Sequence, residues 1–247
     1  MAMLHRNPYD FRLRGKVVPA DYIVAVATRE EYRHQGLMRR LLTKAMQDMY
    51  EEKQPFTFLM PAAEAIYRPF DFRWMGNADE AELACLSREE LAGVYDMYVE
   101  KDAVYERRHI DWPEWETTPM MQRLVHVPAF LEHIGAEEKQ SLILTIKDPI
   151  LPRNNGTFLW EMEETGSRLN VLAPEKKISA EAGWEKKPEL EISIADLGSF
   201  LFGQMKPEEL PEICFGGEPG KAERSAELQE KLQKIRVLHG IYVNETV

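Results

Sequence analysis

Cysteine, long apolar runs and positive charge are what this 247-residue chain has least of. Its two cysteines, Cys85 and Cys214, lie far apart and in no CxxC frame, so neither a disulfide framework nor a structural zinc site is expected. No apolar run approaches the roughly 20 residues of a membrane span. The start, Met1-Ala-Met-Leu-His-Arg6, has no apolar signal core. A cytoplasmic protein without membrane insertion and without a metal is the expectation. The sequons Asn155-Gly-Thr157 and Asn244-Glu-Thr246 then read as chance matches. Lys plus Arg number 31 against 42 Asp plus Glu, a net charge of −11, which disfavours nucleic acid as a partner and suits a cationic substrate. Repeats and low-complexity tracts are absent too, as are the GxxxxGK[ST] and GxGxxG phosphate loops.

What is present is 44% hydrophobic residues and 30% charged, enough for one large domain or two small ones. The first segment alternates strand and helix patterns. Tyr22-Ile-Val-Ala-Val-Ala-Thr28 is an apolar run without polar alternation, so both of its faces are expected to be buried. A weaker strand signal, near Asn7 to Val18, turns at Arg14-Gly-Lys16. Phe56-Thr-Phe-Leu-Met60 is a further strand. Between them Leu37, Leu41, Leu42, Ala45, Met46 and Met49 form one helical stripe, stopped at Gln54-Pro55. Strand, helix and strand make a βαβ unit, favouring a parallel or mixed sheet. A second helix is expected from the capping box Ser87-Arg-Glu-Glu90, with Leu91, Val94, Tyr95 and Tyr98 facing the core. The stretch 106–118, with Trp112 and Trp115, loses periodicity and reads as a linker; the two Trp either dock it or stack on a cofactor.

The second segment has strands at Leu124–Val127, Ser141–Ile146, Thr157–Met162 and Glu189–Ile194. Short helices are expected at Pro128–Ile134, from Ile194 to Phe202 and from Ala226 to Ile235. Strands followed by helices suggest an α+β domain. His126, on an apolar strand, reads as a core histidine before it reads as a base.

The turn Thr28-Arg-Glu-Glu-Tyr-Arg-His-Gln-Gly-Leu-Met38 carries the clearest chemistry. Gly36 allows close backbone approach. The helix it opens presents unpaired N–H groups and a positive dipole end. Arg33, His34, Arg39 and Arg40 add charge, so a pyrophosphate could be cradled there.

These residues resemble a known family. Tyr-Arg-His-Gln-Gly-Leu-Met38 is similar to the acetyl-CoA loop of GNAT acetyltransferases, Arg/Gln-x-x-Gly-x-Gly/Ala, with Met38 at the last position as in the Eis-like (enhanced intracellular survival) branch. Phe58-Leu-Met-Pro-Ala-Ala-Glu-Ala-Ile-Tyr-Arg-Pro-Phe-Asp-Phe72 resembles that branch's next strand and turn, with Asp71 in place of Gly. Arg123-Leu-Val-His-Val127, Lys147-Asp-Pro to Gly156, and Ile194-Ala-Asp-Leu-Gly-Ser-Phe-Leu-Phe-Gly203 are similar to its C-terminal sterol-carrier-like domain.

The resemblance implies an α/β plus α+β protein: a partial GNAT mixed sheet over residues 1–105, a linker at 106–118, and a sterol-carrier-like domain over 119–247. It implies an acetyl-CoA-dependent N-acetyltransferase acting on an amine of a cationic small molecule or on lysine. Val26, Ala27 and Thr28 would offer backbone to the pantetheine arm. Arg33, His34, Gln35, Gly36, Leu37, Met38 and Arg39 would hold the pyrophosphate. Ala62 and Ala63 would line the thioester end, Tyr67 would be the general acid, and the terminal carboxylate of Val247 the base. Only residues 1–21 precede the strand at Tyr22, where the family has several elements, including two helices that wall the acceptor site. The central domain of the branch does not fit between Ala103 and Pro119. A fragment, a trimmed gene or a reduced version is therefore expected, with the coenzyme half of the site present and the amine half largely absent. Two other readings follow: a catalytically reduced coenzyme-binding or lipid-binding and assembly module, with Phe200, Leu201, Phe202, Met205 and Leu210 lining a tunnel or simply forming core, and a homo-oligomer whose partner chain supplies the walls.

Overall fold

A computed structural model describes residues 1–76, 88–100, 107, 119–172, 188–210 and 221–243. The chain opens with a long hairpin, β1 (Ala2–Leu13) and β2 (Lys16–Thr28), paired antiparallel from Leu13↔Lys16 to Ala2↔Thr28. The weak strand signal near Asn7–Val18 is thus parts of two long strands, and the run at Tyr22 is the end of β2. Arg14 and Gly15 make the turn, both with positive φ. Helix α1 (Leu37–Glu51) follows, its stripe residues Leu42, Ala45, Met46 and Met49 all buried. Next come β3 (Phe56–Leu59), the one-turn α2 (Glu64–Tyr67), β4 (Arg73–Trp74), α3 (Arg88–Val94) and β5 (Met97–Val99).

The expected core face of α3 needs correction. The helix stops at Val94, which is 59% exposed, and Tyr98 lies instead on β5. Asp96 ends the helical pattern, its backbone N–H bonding to the carbonyls of His239 and Gly240. Ser87, the proposed cap, and the linker tryptophans lie outside the described residues.

From 119 onward come β6 (Met121–Leu124), α4 (Val127–Leu131), β7 (Gln140–Lys147), β8 (Gly156–Glu163), β9 (Gly166–Leu172), β10 (Leu190–Ser193), α5 (Ile194–Leu201), α6 (Lys221–Gln233) and β11 (Ile241–Tyr242). The strands form two sheets. The larger has the order β11-β5-β1-β2-β3-β6-β4 and mixes parallel with antiparallel pairs. The smaller has the order β10-β7-β8-β9. The strand expected at Leu124–Val127 lies three residues earlier and pairs with β3, Thr57 opposite Arg123. Strands β6 and β11, both from the second segment, therefore complete the sheet of the first.

One apolar core joins the two sheets. Phe56 of β3 meets Phe130 of α4 at 6.1 Å and Phe202 at 5.7 Å, and Phe130 stacks on Phe202 at 5.3 Å. Phe200, Leu201 and Phe202 are at most 2% exposed within this cluster. They pack as core side chains, each contributing about 1.5–3 kcal/mol by burial. The smaller sheet is thus built onto the larger through a shared interior.

Candidate active site

The geometry starts from an irregularity in β2. Met3 faces Ala27, but His5 faces Val24, so Leu4 alone opposes Ala25 and Val26. Ala25 takes a positive φ of 53°. This is a β-bulge, which frees backbone groups from the ladder and re-aims the strand. On its other side β2 pairs with β3 at Tyr22↔Phe58. Past that point β3 ends at Leu59, while β2 runs on to Thr28. The ring of Tyr22 stacks on Phe58 at 4.7 Å, holding the two strands together where they pair.

The burial expected for the whole Tyr22–Thr28 run therefore fails in its second half. Tyr22 and Ile23 are buried, but Val24, Val26 and Thr28 are half-buried, and Ala25 and Ala27 are exposed. The strand is apolar enough for a two-sided interior, yet its neighbour stops short and leaves it open.

Beyond Thr28 the chain makes a single 3-10 turn at Glu30–Tyr32, tied down by Arg29 N–H to the Met1 carbonyl at 3.0 Å. His34 and Gly36 have positive φ, 59° and 71°. Gly36 is the N-cap of α1 and supplies no side-chain cap. The first intrahelical bond runs from Arg40 N–H to the Gly36 carbonyl, so the amides of Leu37, Met38 and Arg39 precede it at the helix end. No acidic side chain stands in that first turn. Arg33, His34, Gln35 and Arg39 are exposed around it, and Leu37 and Met38 are half-buried. Uncapped donors, a positive dipole end and cations make an anion cradle.

The second motif comes to the same end of the sheet. After β3, Ala62 and Ala63 are exposed, and Ala63, with extended backbone, caps α2. The Arg39 guanidinium lies over the Phe70 ring at 4.8 Å, a cation–π contact that joins the start of α1 to the turn after Tyr67. Tyr67 is 6% exposed and meets Phe72 edge-on at 6.0 Å. Burial pushes its phenol above the usual value, so it remains protonated at neutral pH.

Val247 lies outside the described residues. The described chain ends at Val243, with Tyr242 beside Tyr98, Tyr98 beside Arg12 and Arg12 beside Val17. His126 is structural: its Nδ1 accepts the Ala129 N–H at 3.1 Å as the N-cap of α4, and its ring lies 4.8 Å from Tyr50. Burial, then Lys53, holds its pKa below the ordinary imidazole value.

Two polar networks were not visible in the sequence. Asp21, 4% exposed, takes Arg6 Nε at 2.6 Å and Gln54 Nε2 at 3.1 Å, tying the middle of β2 to β1 and to the chain just past α1. Arg123, fully buried, is paired with Asp148 at 2.6 Å. A groove of about 440 Å³ lies elsewhere, between Lys16 and the β8–β9 turn, lined by charges of both signs including Glu161 and Arg168.

The Acetyltransferase (GNAT) domain family matches residues 1–75, and the Sterol carrier protein domain family matches residues 127–214. The chain joins a GNAT acetyltransferase domain to a sterol carrier protein domain. The GNAT match ends just after β4 and so contains the bulge, the cradle and Tyr67. A search of curated protein sequences finds no significant match.

Solved structures share the fold at low identity. Eis1 from Mycobacterium abscessus aligns over all of this chain and 86% of its own, with a TM-score of 0.63 and 12% identity. A GCN5-related N-acetyltransferase from Anabaena variabilis covers 97% of this chain and 85% of its own, at 0.63 and 15%. A conserved protein of Enterococcus faecalis V583, described as a probable N-acyltransferase, covers 98% and 86%, at 0.62 and 13%. Acyl transfer is the general activity that the GNAT domain supports.

Proposed function

We propose that this chain is an Eis-like N-acetyltransferase that moves the acetyl group of acetyl-CoA onto an amine of a cationic small molecule or a lysine side chain. The observation that carries the reading is that β3 ends at Leu59, one residue past its pairing with Tyr22, while β2 runs on to Thr28 and into the turn that opens the uncapped start of α1. A coenzyme laid in that opening would add its pantetheine amides to the free edge of Val26, Ala27 and Thr28. Its pyrophosphate would meet the amides of Gly36 to Arg39 and the side chains of Arg33, His34 and Gln35. Its thioester would come toward Ala62 and Ala63.

The chemistry asks little more of the protein. The neutral amine attacks the thioester carbonyl, and the developing oxyanion is stabilised by backbone N–H released at the Ala25–Val26 bulge. As the C–S bond breaks, the thiolate takes the Tyr67 proton. The raised phenol value keeps Tyr67 in its donating form, though it makes the full transfer less downhill. The base by resemblance is the carboxylate of Val247. Strand β11 runs in the direction of β2, so its end faces the end of the sheet that holds the opening.

Around the opening Met3, Met60 and Ile66 are 46%, 38% and 42% exposed, which supports a homo-oligomer in which a second copy walls the acceptor side. Sedimentation showing an active monomer would exclude that arrangement. The function itself is tested by thiol release from acetyl-CoA with aminoglycosides, polyamines and lysine peptides. Amine-dependent release is expected; a chain that binds no acetyl-CoA in a calorimetric titration would refute it.

A further inference from the structure

Arg123 is the largest charged side chain buried in the described structure, and two of its three hydrogen bonds reach beyond β6. One nitrogen serves its own strand and the other two serve two separate segments. Nε donates to the Phe70 carbonyl at 3.2 Å, Nη1 to the Leu124 carbonyl at 2.5 Å, and Nη2 to Asp148 Oδ1 at 2.6 Å. Asp71 Oδ2 lies 4.0 Å from Nη2.

Asp148 is itself held. Its Oδ1 also accepts the N–H groups of Ile150 and Leu151 at 3.0 and 2.8 Å, and its Oδ2 accepts Asn154 Nδ2 at 2.9 Å. Asn154 Nδ2 in turn donates to the Val125 carbonyl at 2.8 Å. The β7–β8 loop is thus folded around one carboxylate that points into the larger sheet. The same loop grips α1 from outside: Arg153 lies 5.7 Å over the Tyr50 ring and pairs with Glu51.

We propose that Arg123 is a positioning residue for acyl transfer: anchored by Asp148, it fixes the Phe70 carbonyl and with it the turn that carries Tyr67 and supports Arg39. The loop of the sterol-carrier-like part would in this way set the pose of the thioester end of the site. The proposal rests on the acetyltransferase reading for its catalytic consequence, but not for its structural one. A buried ion pair is a poor source of net stability, because desolvation offsets much of its attraction. Holding its own strand and two other segments at once suits the rigid, spread donors of a planar guanidinium, whereas an ammonium presents its three donors from a single point. Asp71, at a positive φ of 65°, has its Oδ2 4.0 Å from the same guanidinium, which offsets part of the cost of burying that carboxylate.

The test is Arg123→Lys, which keeps a positive charge for Asp148 but loses the fork. Hydrogen exchange should accelerate about tenfold or more at the amides of Tyr67 to Phe72, the loss expected for one charge-assisted hydrogen bond. Amides of β7 and β8 should change little. Turnover should fall by a similar factor, with KM for acetyl-CoA changed less than about twofold. Unchanged exchange at the turn, or equal acceleration throughout the chain, would overturn the proposal. If Arg123→Lys does not fold, Asn154→Ser loosens Asp148 more gently and should give the same localised pattern; uniform acceleration in that variant would overturn it. Wild-type chain that transfers no acetyl group would sink the functional reading, while the exchange pattern still decides the positioning.

Discussion

Replacing Gly36 with alanine separates the two things this residue does. It holds φ at 71°, a conformation that costs an L-residue about 1–2 kcal/mol. An added Cβ meets nothing within 4 Å, so the penalty is backbone strain with no clash. In a chain of this size each kcal/mol shifts Tm by about 2–4 °C, so Gly36→Ala should lower it by about 2–8 °C. The loop can relieve the strain only by turning the Leu37–Arg39 amides away from their present direction. Loss of one donor to a charged phosphate is worth about 1.5–3 kcal/mol, or about tenfold and more in Kd. Thermal unfolding and calorimetric titration with CoA read the two effects. Gly36→Asn is the control, since asparagine tolerates the left-handed region and should keep most of the Tm. A Gly36→Ala chain that loses stability but binds CoA with the wild-type Kd would refute the cradle, because the amides would then not be ligands.

Three further expectations follow from the site. Tyr67→Phe should lower turnover by about 10²–10⁴ while CoA affinity stays near wild type, and equal losses in both would argue against the acid role. A residue added after Val247, which moves the terminal carboxylate, should depress turnover at neutral pH without altering CoA binding; unchanged turnover would remove the tail from the mechanism. His126 and His133 are both held below the ordinary imidazole value of 6.5, by burial first and then by Lys53 and Lys16 respectively. The unfolded chain therefore binds more protons below pH 6.5, so stability should be lost as pH falls from about 6.5 through the folded values. His126→Asn, which keeps an N-cap acceptor, should flatten that loss in Tm measured from pH 7.5 to 5.

Local periodicity made parts of the fold legible and long-range pairing did not. Helix α1 could be read from its stripe because Leu42, Ala45, Met46 and Met49 must share one face. The elements of the proposed cradle were legible for the same reason, as a strand, a glycine and a helix start in a row. Strands β5 and β11, three and two residues long, carry too little pattern to be seen. Strand β9 was missed because Arg168 and Asn170 interrupt its apolar residues on an edge that needs little burial. The placement of β6 in the larger sheet depends on a partner 66 positions earlier, as Thr57 faces Arg123. The exposure of Ala25 and Ala27 was invisible because it comes from where β3 stops, not from β2 itself. Asp148 and Arg123 stand 25 residues apart on different elements, and only the folded chain shows that they meet.

The central claim is that coenzyme A occupies the opening between β2 and β3 and the start of α1. Hydrogen exchange with and without CoA tests it most directly. The account predicts slowed exchange at the amides of Val24–Thr28 and Arg33–Arg39, with β7 to β10 unaffected. Protection that is absent there, or that falls on the smaller sheet, would contradict it.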